Sequence, residues 1–371
     1  SLARRGRDRA STRSPAISSP PGRPRTMLGP EAFSTSAGIV DPNAIANEPP
    51  PVQLEPEAAP ISVAPVAIFG GNELSNPRGM DIGPDGNVYV GDRGNSRVAV
   101  FSPEGKLLRT FGSAAPVPPE GQLPPTVKVQ PGQFFDINDV AVGGDGVVYV
   151  LDTSTRVQAF SLEGEYLGSY EPDQTQLFGP NGMAFATQAQ NGKMDSAYVA
   201  VTGQNRLLRI PGIKAIGAGQ AAIPQDIESI SIEAGDHLEQ PVDLVVDPTG
   251  SGIVYTIDLK DRIVALRPGR EGESAPWLVS KQWRALVGRE EGGSRLAISP
   301  DGKRVYMSDP DRRRVTVLDV ETGKVSFFGG EGQDAGQFQG PSGIAVDGAG
   351  RIYVLDRKSH NVQVFNLDDT R

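Results

Sequence analysis

Six of the eight tyrosines recur at a near-constant interval, and that interval restricts the fold more than any other feature of the chain. Tyr89, Tyr149, Tyr198, Tyr255, Tyr306 and Tyr353 are separated by 60, 49, 57, 51 and 47 residues. Each sits in an alternating run rich in β-branched residues: VYVGD, VYVLD, AYVAV, VYTID, VYMSD and IYVLD. An aspartate follows three positions later in five units (Asp92, Asp152, Asp258, Asp309, Asp356); the third unit has Val201 instead. A further alternating run precedes each tyrosine and another begins seven or eight residues after it. Asp85-Gly86, Asp145-Gly146 and Asp301-Gly302 punctuate the first pair of runs, where a two-residue hairpin would need positive φ. A fourth run follows in several units, as in Lys106–Gly112 and Lys324–Gly330. Units of four short antiparallel strands at this period predict propeller blades, because one small sheet buries its faces only against neighbours. Six units predict six blades.

The last unit ends after its third strand, and a fourth-strand pattern without a blade of its own lies at Val63–Gly70. The expectation is a 3+1 closure in which this N-terminal strand completes the last blade and covers its open edge. Residues 1–60 carry no apolar periodicity. Seven arginines fall in the first 26 residues, followed by a proline-rich stretch, so this segment is expected to be a disordered tail ahead of a propeller at 61–371.

The motifs Asn76–Gly112 and Gly336–Phe365 resemble NHL repeats. The resemblance extends over about 300 residues and is weakest in the third unit. It implies an all-β, six-bladed propeller of four-stranded antiparallel blades. It does not choose among protein-binding, RNA-binding and lyase functions, because one fold hosts them all.

Composition narrows that choice. A formal charge of −9 opposes general affinity for nucleic acid or acidic membranes. No cysteine is present, which excludes disulfides, thiolate metal sites and cysteine nucleophiles. No apolar run approaches the roughly 18 residues needed to span a bilayer. The two histidines, His237 and His360, fall short of the three that amidating-lyase relatives use for zinc. No serine-triad signature is present. The compartment stays open, with an extracytoplasmic, monomeric protein expected.

Two sets of residues are candidates for chemistry. Four of the five aspartates at the second-to-third turn are followed, four or five positions on, by an arginine (Asp92/Arg97, Asp152/Arg156, Asp258/Arg262, Asp309/Arg314). Repetition in most blades reads as structural pairing. The residues that begin the first strands do differ between blades: Arg78, Asn138, Asp139, Asn181, Asp243 and Arg295. Resemblance to lactonase- and paraoxonase-like propellers implies an axial Ca²⁺ on Asn138, Asn181 and Asp243. No other cofactor is implied. Three fourth-to-first connections are long (113–134, 211–240, 268–294) and share one face of a meander propeller with the Asp/Arg turns. A binding face is therefore expected from Arg78, Asp139, His237, Trp277, Trp283 and Arg295. The tryptophans read either as exposed anchors or as packed members of a fourth strand. The sequence favours a non-enzymatic module that recognises a protein, peptide or glycan, with a Ca²⁺-dependent hydrolase as the alternative.

Overall fold

A computed structural model describes residues 60–116, 129–153, 156–171, 177–186, 196–211, 228–230, 238–259, 262–270, 277–284 and 293–367. These all belong to one compact unit, Glu48–Arg371. The tail assigned to residues 1–60 lies, but for Pro60, outside the described residues.

The described residues build six four-stranded antiparallel sheets. Blade one holds Met80–Ile82, Val88–Asp92, Arg97–Phe101 and Leu107–Phe111. Blade two holds Ile137–Val142, Val147–Asp152, Arg156–Ser161 and Tyr166–Tyr170. Blade three holds Pro180–Ala186, Ser196–Val201, Arg206–Pro211 and Glu228–Ile230. Blade four holds Asp243–Val246, Val254–Asp258, Arg262–Pro268 and Trp277–Arg284. Blade five holds Leu296–Ile298, Arg304–Asp309, Arg314–Asp319 and Val325–Gly329. Blade six takes Pro341–Val346, Ile352–Asp356 and Asn361–Phe365 from the C-terminal end. Its outermost strand is Ala67–Phe69, antiparallel to Asn361–Phe365 with Ile68 opposite Gln363. The first strand of each blade lies against the first strands of both neighbours, which closes the ring around an axis.

The core is divided among the six gaps between blades, one apolar cluster in each. The repeating tyrosine explains the division, because each one projects from its second strand into the gap toward the next blade. Tyr149 stacks on Phe185 of blade three with ring centroids 5.0 Å apart. Tyr255 lies 6.3 Å from Trp283. All six tyrosines are buried, and withdrawing each ring from water stabilises the fold by on the order of 2 kcal/mol.

The inner hairpins differ from the two-residue form. Gly86, Gly146 and Gly302 have φ of 76°, 79° and 72°, but their preceding aspartates do not share positive φ. Gly86 instead donates to the carbonyl of Gly83 at 2.9 Å, and Gly83 to Asn87 at 2.9 Å. This is a longer loop with a single left-handed residue. The aspartate's role is polar: Asp85, Asp145 and Asp301 each accept the backbone N–H two residues on.

The N-terminal segment also reaches blade five. Ile61 donates its N–H to the carbonyl of Phe327 at 2.7 Å, and Ile61 and Val63 pack on the apolar cluster between blades five and six. A chain beginning at residue 60 keeps these contacts and is expected to retain one cooperative thermal transition. A chain beginning at residue 71 loses them together with the outer strand of blade six, and is expected to melt broadly. Circular dichroism and calorimetry on the two truncations check this.

Candidate functional site at the axial mouth

The recurrent Asp/Arg pairs are internal struts. Asp92 is fully buried and accepts from Arg97 Nε at 2.7 Å and from the backbone N–H of Ser75 at 2.7 Å. Asp258 takes Arg262 Nε at 2.9 Å and the N–H of Glu239 at 3.2 Å. Asp356, with no arginine four or five positions on, takes the N–H groups of Gln339 and Gly340 at 2.6 and 3.1 Å. These three aspartates thus tie the connection that leads into their blade to the second-to-third turn of the same blade. A buried carboxylate satisfied in this way is structural.

Blade three has Val201 at that position, and its turn makes different bonds. Thr202 Oγ1 donates to the carbonyl of Pro241 at 2.7 Å, and Asn205 Oδ1 accepts the N–H of Gln240 at 2.9 Å. The turn is therefore fastened to the segment leading into blade four. Beside it opens a mouth of about 410 Å³, lined by Arg78, Asn138, Gly179, Pro180, Asn181, Thr202, Gly203 and Gln240. Four blades contribute. Sequence reasoning named Arg78, Asn138 and Asn181 but missed Thr202 and Gln240. The missing aspartate in blade three was the signal that could have found them.

Across the floor of the mouth run two arginines. Arg78 donates to Asn138 Oδ1 at 3.3 Å and to Asn181 Oδ1 at 2.8 Å. Arg295, from blade five, donates to the carbonyls of Asn138 and Asn181 at 3.0 and 3.2 Å and to Asn181 Oδ1 at 3.1 Å. Asn138 is oriented by its own Nδ2, which donates to the carbonyl of Pro180 at 3.0 Å. Burial, with the nearby Arg295 charge, pushes the Arg78 guanidinium down to about 9, so it remains cationic at neutral pH.

Deeper along the axis lies a cavity of about 150 Å³ whose polar lining is Asp81, Asp139, Asp243 and Arg295. These carboxylates lace neighbouring blades together. Asp81 accepts the N–H of Val142 at 2.8 Å, Asp139 that of Met183 at 2.8 Å, and Asp243 that of Leu296 at 2.6 Å. Two of them, Asp139 and Asp243, need glycine opposite. A Cβ on Gly79 would stand 2.6 Å from Asp139 Cα, and a Cβ on Gly182 would stand 2.7 Å from Asp243 Cα and overlap its Oδ1. Burial pushes the Asp81 and Asp243 carboxyls up to about 7, and raises Asp139 as well.

The axial Ca²⁺ expectation does not fit this donor set. A Ca²⁺ site needs six to eight oxygens turned to one point. Here the asparagine oxygens face two guanidinium groups, and the Asp243 carboxylate is bonded to backbone. Among the described residues, no group of three or more His, Cys, Asp or Glu side chains is placed to hold a metal ion.

Trp277 and Trp283 require a correction to their reading as binding anchors. They lie in the outer strand of blade four, 5% and 2% exposed, in the gaps facing blades three and five respectively. A bulge between Ala265 and Leu266 shifts the register, so residues six apart point to opposite faces of the sheet. His237 lies outside the described residues, as does much of each long connection. His360 adopts φ 57° in the turn of blade six and serves backbone geometry.

Gly182→Ala is expected to lower stability by roughly 1–3 kcal/mol through overpacking against Asp243, measurable by urea unfolding. A carboxyl whose folded pKa is raised keeps its proton in the native state while the unfolded chain releases it. Stability contributed by the Asp243 proton is therefore lost as pH rises from about 4 to about 7. Asp243→Asn retains an acceptor oxygen for Leu296 and is expected to flatten that decline by up to about 1.4 kcal/mol per pH unit.

The NHL repeat family model matches residues 74–101 and 338–365, within blades one and six. Among solved structures, the chain is similar to hydrazine synthase of Kuenenia stuttgartiensis at 16% identity, covering 80% of this chain and 97% of that one, with a TM-score of 0.47. It is similar to virginiamycin B lyase from Staphylococcus aureus at 11% identity, covering 82% and 99%, with a TM-score of 0.48. An auxiliary nutrient binding protein from Bacteroides thetaiotaomicron matches at 10% identity over 79% and 69%, with a TM-score of 0.50. Identities this low carry no argument about function. The chain is therefore a six-bladed β-propeller of four-stranded antiparallel blades that carries two matches to the NHL repeat, one in its first blade and one in its last.

Proposed function

We propose that the protein is a non-enzymatic binding module that receives a protein, peptide or glycan ligand at the axial mouth. One observation carries this reading: the mouth is where the repeat loses its symmetry. Arg78, Asn138, Asn181, Thr202 and Gln240 come from four blades, and no two blades supply the same set. The recurrent aspartates, by contrast, are consumed in turn geometry. A volume of about 410 Å³ lies in the range of small-ligand clefts. The polar groups there are held in fixed positions by one another, which lowers the ordering cost of recognition. No helix among the described residues is long and apolar enough to cross a membrane.

Labelled protein applied to glycan and peptide arrays is the direct test. Gln240→Trp narrows the mouth and is expected to weaken any specific ligand at least tenfold. Lys303→Glu, in an inner hairpin on the opposite face, is expected to leave binding unchanged. Equal loss in both variants, or no specific ligand for the wild-type chain, would refute recognition at this mouth.

A further inference from the structure

Charge is not what the axial mouth offers a ligand, because the arginines of its floor are compensated from below. Asp139 and Asp243 face Arg295 in the axial cavity, and the Asp139 charge also acts on Arg78. The other polar groups of the mouth are neutral. The Oδ1 of Asn181 accepts from both arginines, which turns its Nδ2 away from them, and that Nδ2 has no hydrogen-bond partner among the described residues. Gln240 is exposed, and its side-chain amide likewise has no partner among the described residues. Thr202 Oγ1 donates to the carbonyl of Pro241 and keeps its lone pairs as acceptors.

The backbone holds two residues at the rim in unusual positions. Gln240 has φ 49°, in the left-handed region that favours glycine, and its N–H is fixed there by Asn205 Oδ1 at 2.9 Å. Phe178 precedes Gly179 of the mouth lining and is 58% exposed. Its carbonyl and ring lie against Gly203, where a Cβ would stand 2.5 Å from the one and 2.6 Å from the other. The absent side chain lets the ring rest on backbone while more than half of the residue stays in solvent. An aromatic ring left exposed beside a polar cleft supplies a flat apolar surface for a ligand.

Building on the proposed binding role, we infer that the mouth takes a neutral pyranose sugar, with a C–H face of the ring on Phe178 and its hydroxyls on the amides of Asn181 and Gln240. A pyranose carries C–H bonds on its faces, whose weakly positive hydrogens pack on the negative face of an aromatic ring. Its edge carries hydroxyls that both donate and accept. A side-chain amide serves such groups from both ends, donating through nitrogen and accepting through oxygen. A peptide side chain would need an apolar recess, and Pro180 is the one hydrophobic residue lining the mouth among the described residues.

Saturation-transfer difference NMR on the full chain tests the inference, with the methyl glycosides of glucose, galactose, mannose and N-acetylglucosamine as probes. At least one is expected to bind with a Kd of about 10 mM or tighter, with the strongest transfer to C–H protons on one face of the ring. Phe178→Ala, at an exposed position, is expected to keep the wild-type melting temperature and to weaken that sugar at least tenfold. Phe178→Tyr keeps the ring and is expected to bind within threefold of wild type. Gln240→Ala is expected to weaken the sugar three- to tenfold. Transfer to none of the four glycosides, or wild-type binding by Phe178→Ala, overturns the sugar assignment. Glucuronate binding at least tenfold tighter than methyl glucoside overturns its neutrality. If array peptides sensitive to Gln240→Trp persist when no sugar binds, the mouth is a peptide site and the binding role stands. If those are absent as well, the binding role falls with the sugar.

Discussion

A four-stranded sheet of five-residue strands has two apolar faces and almost no interior, so no blade of this protein can be stable by itself. Everything else follows from the packing between blades. The apolar clusters lie in the gaps, the repeated tyrosine fills each gap from its second strand, and the last gap exists only because the ring closes. Closure is therefore the condition on which the core depends. The strand Ala67–Phe69 helps to provide it by joining the sheet formed by the far end of the chain. Phe69 packs on Phe101 of blade one, with ring centroids 5.2 Å apart, so the strand stitches the final gap as well as the final sheet.

The same requirement produces two rings of aspartate with different duties. The outer ring, Asp92, Asp152, Asp258, Asp309 and Asp356, fixes turns within blades. The axial group, Asp81, Asp139 and Asp243, fixes one blade to the next through backbone N–H groups. Buried carboxyl groups are costly unless hydrogen-bonded; each of these accepts two backbone N–H groups, and Arg295 adds a compensating charge beside Asp139 and Asp243. The glycines opposite Asp139 and Asp243 are part of the same device, since a side chain on either would displace the carboxylate it faces.

Where those duties lapse, polar groups become available for other work. Blade three lacks the turn aspartate, so its turn bonds to the segment leading into blade four, and the gap left beside it is the mouth. Arg78 and Arg295 bridge that floor through the oxygens of Asn138 and Asn181.

The number of blades, the strand order within them and the exception at Val201 were legible in the sequence, because period-2 alternation and a fixed tyrosine spacing report a local pattern repeated in space. The asymmetric first-strand residues were legible as a set. Their chemistry was not. Asn138, Asn181 and Asp243 are metal ligands in composition, but Arg78 and Arg295 come from blades one and five, and only the closed ring brings them onto the same oxygens. The tryptophans show the same division. Alternation alone puts Trp277 and Trp283 on one face of a strand, and a single bulge, fixed by pairing with the neighbouring strand, sends them to opposite gaps. Local periodicity thus determined the repeating scaffold. Contacts between residues far apart in sequence decided which side chains share a charge, a cavity or a gap, because those contacts depend on the register and closure of the ring.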